Sequence, residues 1–215
     1  MHREMLNKIP IFPLNVVVFP GENLNLHIFE PRYKELIKDC IETGISFGIP
    51  AYLDSKVQNF GSTVKLESIV NKYPDGRMDV MTKAEQKFRL LNMEPTLGSK
   101  LYAGGEVEFM EVIDNSNHSE RVLLIETVQK LFKLLQIKKD NLHPEMELLS
   151  FKVGHHIGLT LKQEFRLLSL EKESQRIDLL IDHLIRTIPA IRAAEKSKEK
   201  VKLNGHFKFF DPLEF

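Results

Sequence analysis

The hydrophobic period of this chain changes once, at the polar run Asp114–Ser119 (DNSNHS), and that change restricts what the chain can become. Before it, short apolar runs rich in β-branched and aromatic residues alternate with turn signals; after it, apolar residues recur every three to four positions. A chain that is strand-rich and then helix-rich is expected to fold as α+β. Three segments are expected: a β-rich part over 1–113 enclosing one helix, a helical part over 114–193, and a Lys/Phe-rich tail over 194–215.

The β-rich part opens with Ile9–Tyr33, IPIFPLNVVVFPGENLNLHIFEPRY. Pro10, Pro13 and Pro20 divide it into three apolar runs, and the composition of Val16–Phe19 and Leu24–Phe29 predicts strands. Pro31 suits the first turn of a helix, where its missing N–H would have no partner anyway. Tyr33, Leu36, Ile37, Cys40 and Ile41 then share one helical face, with Gly44 placed to cap it. Further strands are predicted over Ser46–Leu53, Thr63–Lys72, Met78–Thr82, Lys87–Met93 and Leu101–Ile113. Tyr73–Arg77 serves as a hairpin turn, and Gly104-Gly105 marks a bulge or bend.

In the helical part, Leu124, Ile125, Val128, Leu131, Phe132 and Leu135 predict a helix over His118–Gln136. A second starts after His143-Pro144 and carries Met146, Leu149, Phe151 and Val153 towards Gly158. Thr160 with Gln163 forms a capping box for a third, carrying Phe165 and Leu168. Ile177, Leu180, Ile181, Leu184, Ile185 and Ile188 make the stripe of a fourth, which Pro189 ends or kinks. In the tail, lysines give way to Phe207, Phe209, Phe210 and Phe215. That pattern suits nucleic acid or a docking partner, and equally a solvated linker whose rings pack back on their own domain.

Charge and chemistry exclude more than they select. Lys plus Arg and Asp plus Glu are both 30, so no bulk charge favours nucleic acid or an anionic membrane. Cys40, the single cysteine, sits on an apolar helix face and reads as core; with no disulfide to form, a reducing cytoplasm is the expected location. The start, MHREMLNKIP, lacks the apolar core of a signal peptide, and no apolar run is long enough to span a membrane. No phosphate-binding G-x-x-x-x-G-K-[ST], no G-x-S-x-G and no H-E-x-x-H is present. None of the eight histidines has a ligand spacing, and adjacent His155 and His156 would point apart on a helix, so no metal or other cofactor is expected. The pairs Glu171/Glu173 and Glu195/Glu199 read as solvated faces. Around EPRY, Arg32, Lys34 and Glu35 form a charged surface fit for a polypeptide partner; alternatively Glu30 favours the helix N-terminus, Arg32 pairs with a carboxylate and Tyr33 packs.

The runs FPLNVVVFPG and HIFEPRY resemble the start of the Lon-protease N-terminal (substrate-binding) domain, and stand-alone members of that family in particular. Phe60–Val64, PDGRMDVMTKAEQKFRLL over Pro74–Leu91, and LTLKQEFRLLSLEKESQRIDLLIDHL over Leu159–Leu184 are similar to later parts of the same domain, so the likeness covers about 8–190. The resemblance implies a twisted, barrel-like, PUA-like β subdomain followed by a helical bundle. It also implies a non-catalytic module that recognises exposed or unfolded polypeptide or a specific client, leaving open a protease or chaperone as a further partner. The ATPase and Ser–Lys peptidase of full-length Lon have no counterpart in these residues, nor has the zinc-bearing domain of cereblon. PUA-like domains often bind RNA, which gives an alternative reading by analogy of fold alone.

Overall fold

The computed structural model describes residues 7–138 and 141–206. Six strands, β1 (Asn7–Ile11), β2 (Asn23–Ile28), β3 (Phe47–Leu53), β4 (Lys56–Lys72), β5 (Met78–Glu94) and β6 (Ala103–Met110), form one sheet in the order β2-β5-β4-β3-β1-β6. β5 is long enough to serve two neighbours on one side: Met78–Lys83 pair with β2, and Lys87–Glu94 pair with β6. The predicted strands Met78–Thr82 and Lys87–Met93 are thus one strand, and the ring β5-β4-β3-β1-β6 closes on itself with β2 left outside it. The hairpin turn lies where the sequence put it, with Tyr73 N–H donating to the Arg77 carbonyl and Gly76 at φ +79°.

Helix α1 (Pro31–Thr43) lays Tyr33, Leu36, Ile37 and Cys40 against Phe47, Ile49, Val64 and Val80 of the sheet and Phe12 just past the end of β1. Glu30 is its N-cap residue, and Gly44 in the left-handed region returns its N–H to the Cys40 carbonyl. Burying four such side chains is worth about 1.5–3 kcal/mol each, which fixes the helix in the curl of the sheet.

The predicted strand Val16–Phe19 is absent, and its residues form an irregular, mostly buried link. Val17 and Phe19 enter the core of the helical half, whereas Val18 enters the core around α1. A run that must feed two cores cannot lie flat in one ladder. Side chains satisfy its backbone instead: Ser62 Oγ donates to the Val18 carbonyl at 2.6 Å, and Phe19 N–H donates to Glu22 Oε2 at 3.0 Å. No register shift occurs at Gly104-Gly105; a Cβ on Gly105 would meet Ile11 and Leu90 side chains at 2.7 Å, so close packing explains the glycine.

Helices α2 (His118–Leu134), α3 (Leu149–Gly154), α4 (Leu161–Ser169) and α5 (Glu173–His206) follow. Capping boxes Asn117/Glu120 and Thr160/Gln163 start α2 and α4. The second predicted helix shrinks to α3, preceded by Leu148 in the left-handed region (φ +54°). Pro189 does not end α5, which continues to His206. The carbonyl that loses its helical donor there belongs to Ile185, which is exposed, so water can take the place of the missing N–H. Phe207, Phe209, Phe210 and Phe215 lie outside the described residues.

Candidate functional site

The three charged residues expected to meet a partner sit in the first turns of α1 but do different things. Arg32 is half exposed, bonds Glu30 Oε2 through Nε and Nη2 at 2.9 and 2.8 Å, and lies over the Tyr33 ring. Lys34 donates from Nζ to the Asp75 carbonyl in the hairpin turn at 3.2 Å. Glu35 accepts from Leu101 N–H at 2.8 Å. Tyr33 is buried and stacks on Phe12 with ring centres 3.6 Å apart. Near Glu35, Lys100 Nζ and the Tyr102 hydroxyl hold Asp39 at 2.7 and 2.6 Å, and both bonds keep its carboxyl below the usual range.

Strand β2 provides a different kind of surface. It pairs with β5 alone, and its other edge meets no strand among the described residues. Ala84 N–H donates to the Glu22 carbonyl at 2.8 Å. Carried along the unbroken register from Asn23↔Lys83 to Ile28↔Met78, this aims the backbone groups of Leu24, Leu26 and Ile28 at β5. Those of Asn23, Asn25 and His27 therefore face away from the sheet. At the far end of the edge stand exposed Phe29 and His27, the latter hydrogen-bonded to Asp79, which Tyr73 also holds.

The near end of β2 runs into the junction between sheet and helices. There His155 stacks on Phe19 and bonds Glu22 Oε1 through Nε2 at 2.6 Å and Glu164 Oε1 through Nδ1 at 2.7 Å. Burial alone would lower the imidazole, but the two carboxylates outweigh it and push it up to about 9. Spacing arguments, which address metal ligation, could not foresee this tie between three distant segments. Beside it lies a cavity of about 230 Å³ lined by Phe19, Pro20, Leu148, Phe151, Lys152 and His156, among others.

Deeper in the junction are charges that sequence reading missed. Lys87, fully buried on β5, donates to the carbonyls of Ser169 and Leu170 at the end of α4. Burial and the nearby Arg176 charge bring its ammonium down to about 8. Glu173, expected on a solvated face, is 1% exposed and pairs with fully buried Arg176 at 2.7 Å. Ser150 N–H and Oγ complete the Glu173 carboxylate, and the Arg176 guanidinium also donates to the Leu170 and Glu171 carbonyls. This set joins α3, the end of α4 and α5; it is structural chemistry.

Cys40 is buried, and desolvation with the Asp39 charge pushes its thiol up to about 12, far from a nucleophile's range. Among the described residues no three His, Cys, Asp or Glu side chains converge as a metal site, and no helix is long and apolar enough to cross a membrane.

Comparison with known proteins gives the arrangement a lineage. The N-terminal domain protein of Lon from Xanthomonas campestris superimposes with a TM-score of 0.65 at 23% identity, covering 82% of this chain and 98% of that one. The N-terminal domain of the Mycobacterium avium complex Lon protease gives 0.64 at 17% identity, covering 83% and 98%. Cereblon of Xenopus tropicalis is 28% identical over 89 residues, 39% of this chain but only 20% of that protein's length. Residues 8–186 match the family model described as the ATP-dependent protease La (LON) substrate-binding domain. With the α+β fold, the closed sheet and most of the chain accounted for, the chain belongs to the LON substrate-binding domain family.

Proposed function

We propose that this chain is a non-catalytic polypeptide-binding module that recognises exposed or unfolded segments. The observation that carries the reading is the open edge of β2, whose outward backbone groups at Asn23, Asn25 and His27 have the spacing an added strand requires. An extended chain supplies complementary N–H and C=O groups whatever its sequence, which suits recognition of unfolded clients. Exposed Phe29 follows the last residue of β2 and Arg32 stands in the first turn of α1 beyond it, offering apolar and cationic contacts, while Lys34 and Glu35 hold α1 to the hairpin and to Leu101. Membership of a family described by substrate binding supports the same reading.

Asn25→Pro tests it. Proline is tolerated on an edge strand when its missing N–H faces solvent, so the fold survives while the docking edge loses a donor and gains a steric block. Fluorescence anisotropy against a permanently unfolded polypeptide is expected to show saturable binding by the native chain that persists at physiological salt. Binding falls about tenfold or more in the variant, as loss of a strand's worth of hydrogen bonds implies. Equal binding by both proteins would rule out the edge.

A further inference from the structure

We propose that the cavity at the sheet–helix junction is a side-chain pocket that reads one apolar residue of the bound polypeptide, preferring an acidic neighbour. The inference rests on the polypeptide-binding reading and adds a sequence preference to it. The cavity, about 230 Å³, is smaller than the roughly 300–1,000 Å³ typical of small-molecule sites, so it suits one side chain rather than a whole ligand. Pro20, Gly21 and Glu22 line it and lead directly into Asn23, the first residue of β2. A strand added to the β2 edge therefore runs off its near end over the cavity. Main-chain bonds along the edge would supply affinity, and the pocket at its end would supply selectivity.

The walls define the chemistry. Phe19, Pro20, Leu148 and Phe151 make an apolar floor, with the Phe19 and Phe151 rings stacked at 4.9 Å. Leu148 keeps its left-handed backbone, unusual for a residue other than glycine, while its side chain lies against Gly21, itself at φ +89°. The Glu22–His155–Glu164 set pins the rim, so the pocket is formed before anything enters it. Of the charges on the wall, His155 and Glu22 satisfy each other, whereas Lys152 is exposed and makes no ion pair among the described residues. An acidic residue beside the apolar anchor would meet that ammonium.

The test uses short labelled peptides of Ser, Thr and Gln carrying Phe next to Asp, Phe next to Lys, or Ala next to Asp, titrated into the full chain. The Phe–Asp peptide is expected to bind best. Replacing Asp by Lys should weaken it up to about fivefold, as for an exposed charge pair. Replacing Phe by Ala should weaken it about tenfold or more, as for a buried ring. Lys152→Glu, an exposed change that spares the fold, should invert the Asp/Lys preference and keep the preference for Phe. Leu148→Asn, which tolerates the left-handed backbone, should lose the preference for Phe. If native protein binds the Phe and Ala peptides equally, the pocket assignment is overturned while the edge survives. An unchanged Asp/Lys ratio in Lys152→Glu overturns the acidic preference. If the folded protein binds none of the peptides, the polypeptide reading falls and this inference falls with it.

Discussion

At the scale of single residues, His155 and Lys87 give opposite pH signatures to one junction. His155 is raised from 6.5 to about 9 in the folded chain, so its contribution to stability is complete below pH 6.5 and lost as pH rises through 9. Lys87 is lowered from 10.5 to about 8, so the unfolded chain holds that proton more tightly and stability rises between pH 8 and 10.5. Urea titrations should show stability falling from pH 6.5 to 8 and levelling between 8 and 9, where the two trends oppose. His155→Gln should remove the fall, which is on the order of 1 kcal/mol because the ring is one-third exposed and screened. A pH profile in His155→Gln that matches the native one would refute the assignment. Neither residue announced this in the sequence. The partners of Lys87 are the carbonyls of Ser169 and Leu170, and a backbone carbonyl far along the chain leaves no signature in residue types. Cys40 was legible, because an apolar neighbourhood at helical spacing is a local pattern.

At the scale of elements, the Glu173–Arg176–Ser150 set decides how α3 and α5 stand to one another. Glu173→Gln would leave a guanidinium buried without its counter-charge, and such a loss costs about 3–5 kcal/mol. Thermal and urea unfolding should both register a drop of that size; a change under about 1 kcal/mol, as for a surface pair, would mean water reaches the site. The elements themselves were legible to different degrees. The helices with capping boxes were found close to their true starts, since a cap and its return bond lie within four residues. The hairpin at Tyr73–Arg77 was found for the same reason. Val16–Phe19 was misread because strand-forming composition says nothing about which core each side chain must enter, and Ser62, which satisfies the link, lies far along the chain. The open edge of β2 was equally hidden: residue types do not reveal which neighbour a strand lacks.

At the scale of the molecule, the core of the helical half also takes in part of the sheet. Ala51 and Leu53 of β3 and Val17 and Phe19 of the link pack with Leu124, Leu149, Leu167 and Leu180 of the helices. We therefore expect one cooperative unfolding transition, with circular dichroism and intrinsic tyrosine fluorescence giving coincident curves. Two separated transitions would instead show halves that fold independently. Gly61→Ala probes the same cohesion from inside the sheet, because a Cβ there would lie 2.6 Å from the Pro50 Cα, where only backbone could move away. It should lower stability by about 1–3 kcal/mol or more and shift both probes together.

The closed ring also has a consequence for the order of synthesis. β1 is completed by β6, with Asn7 opposite Val107, and by β3, with Ile11 opposite Gly48. A nascent chain leaving the ribosome thus keeps one edge of β1 unmatched, even after β3 has emerged, until Ala103–Met110 has followed. Through that interval it exposes the same kind of unpaired strand edge that β2 presents among the described residues. A protein proposed to hold unfolded clients is, while being made, a candidate client itself.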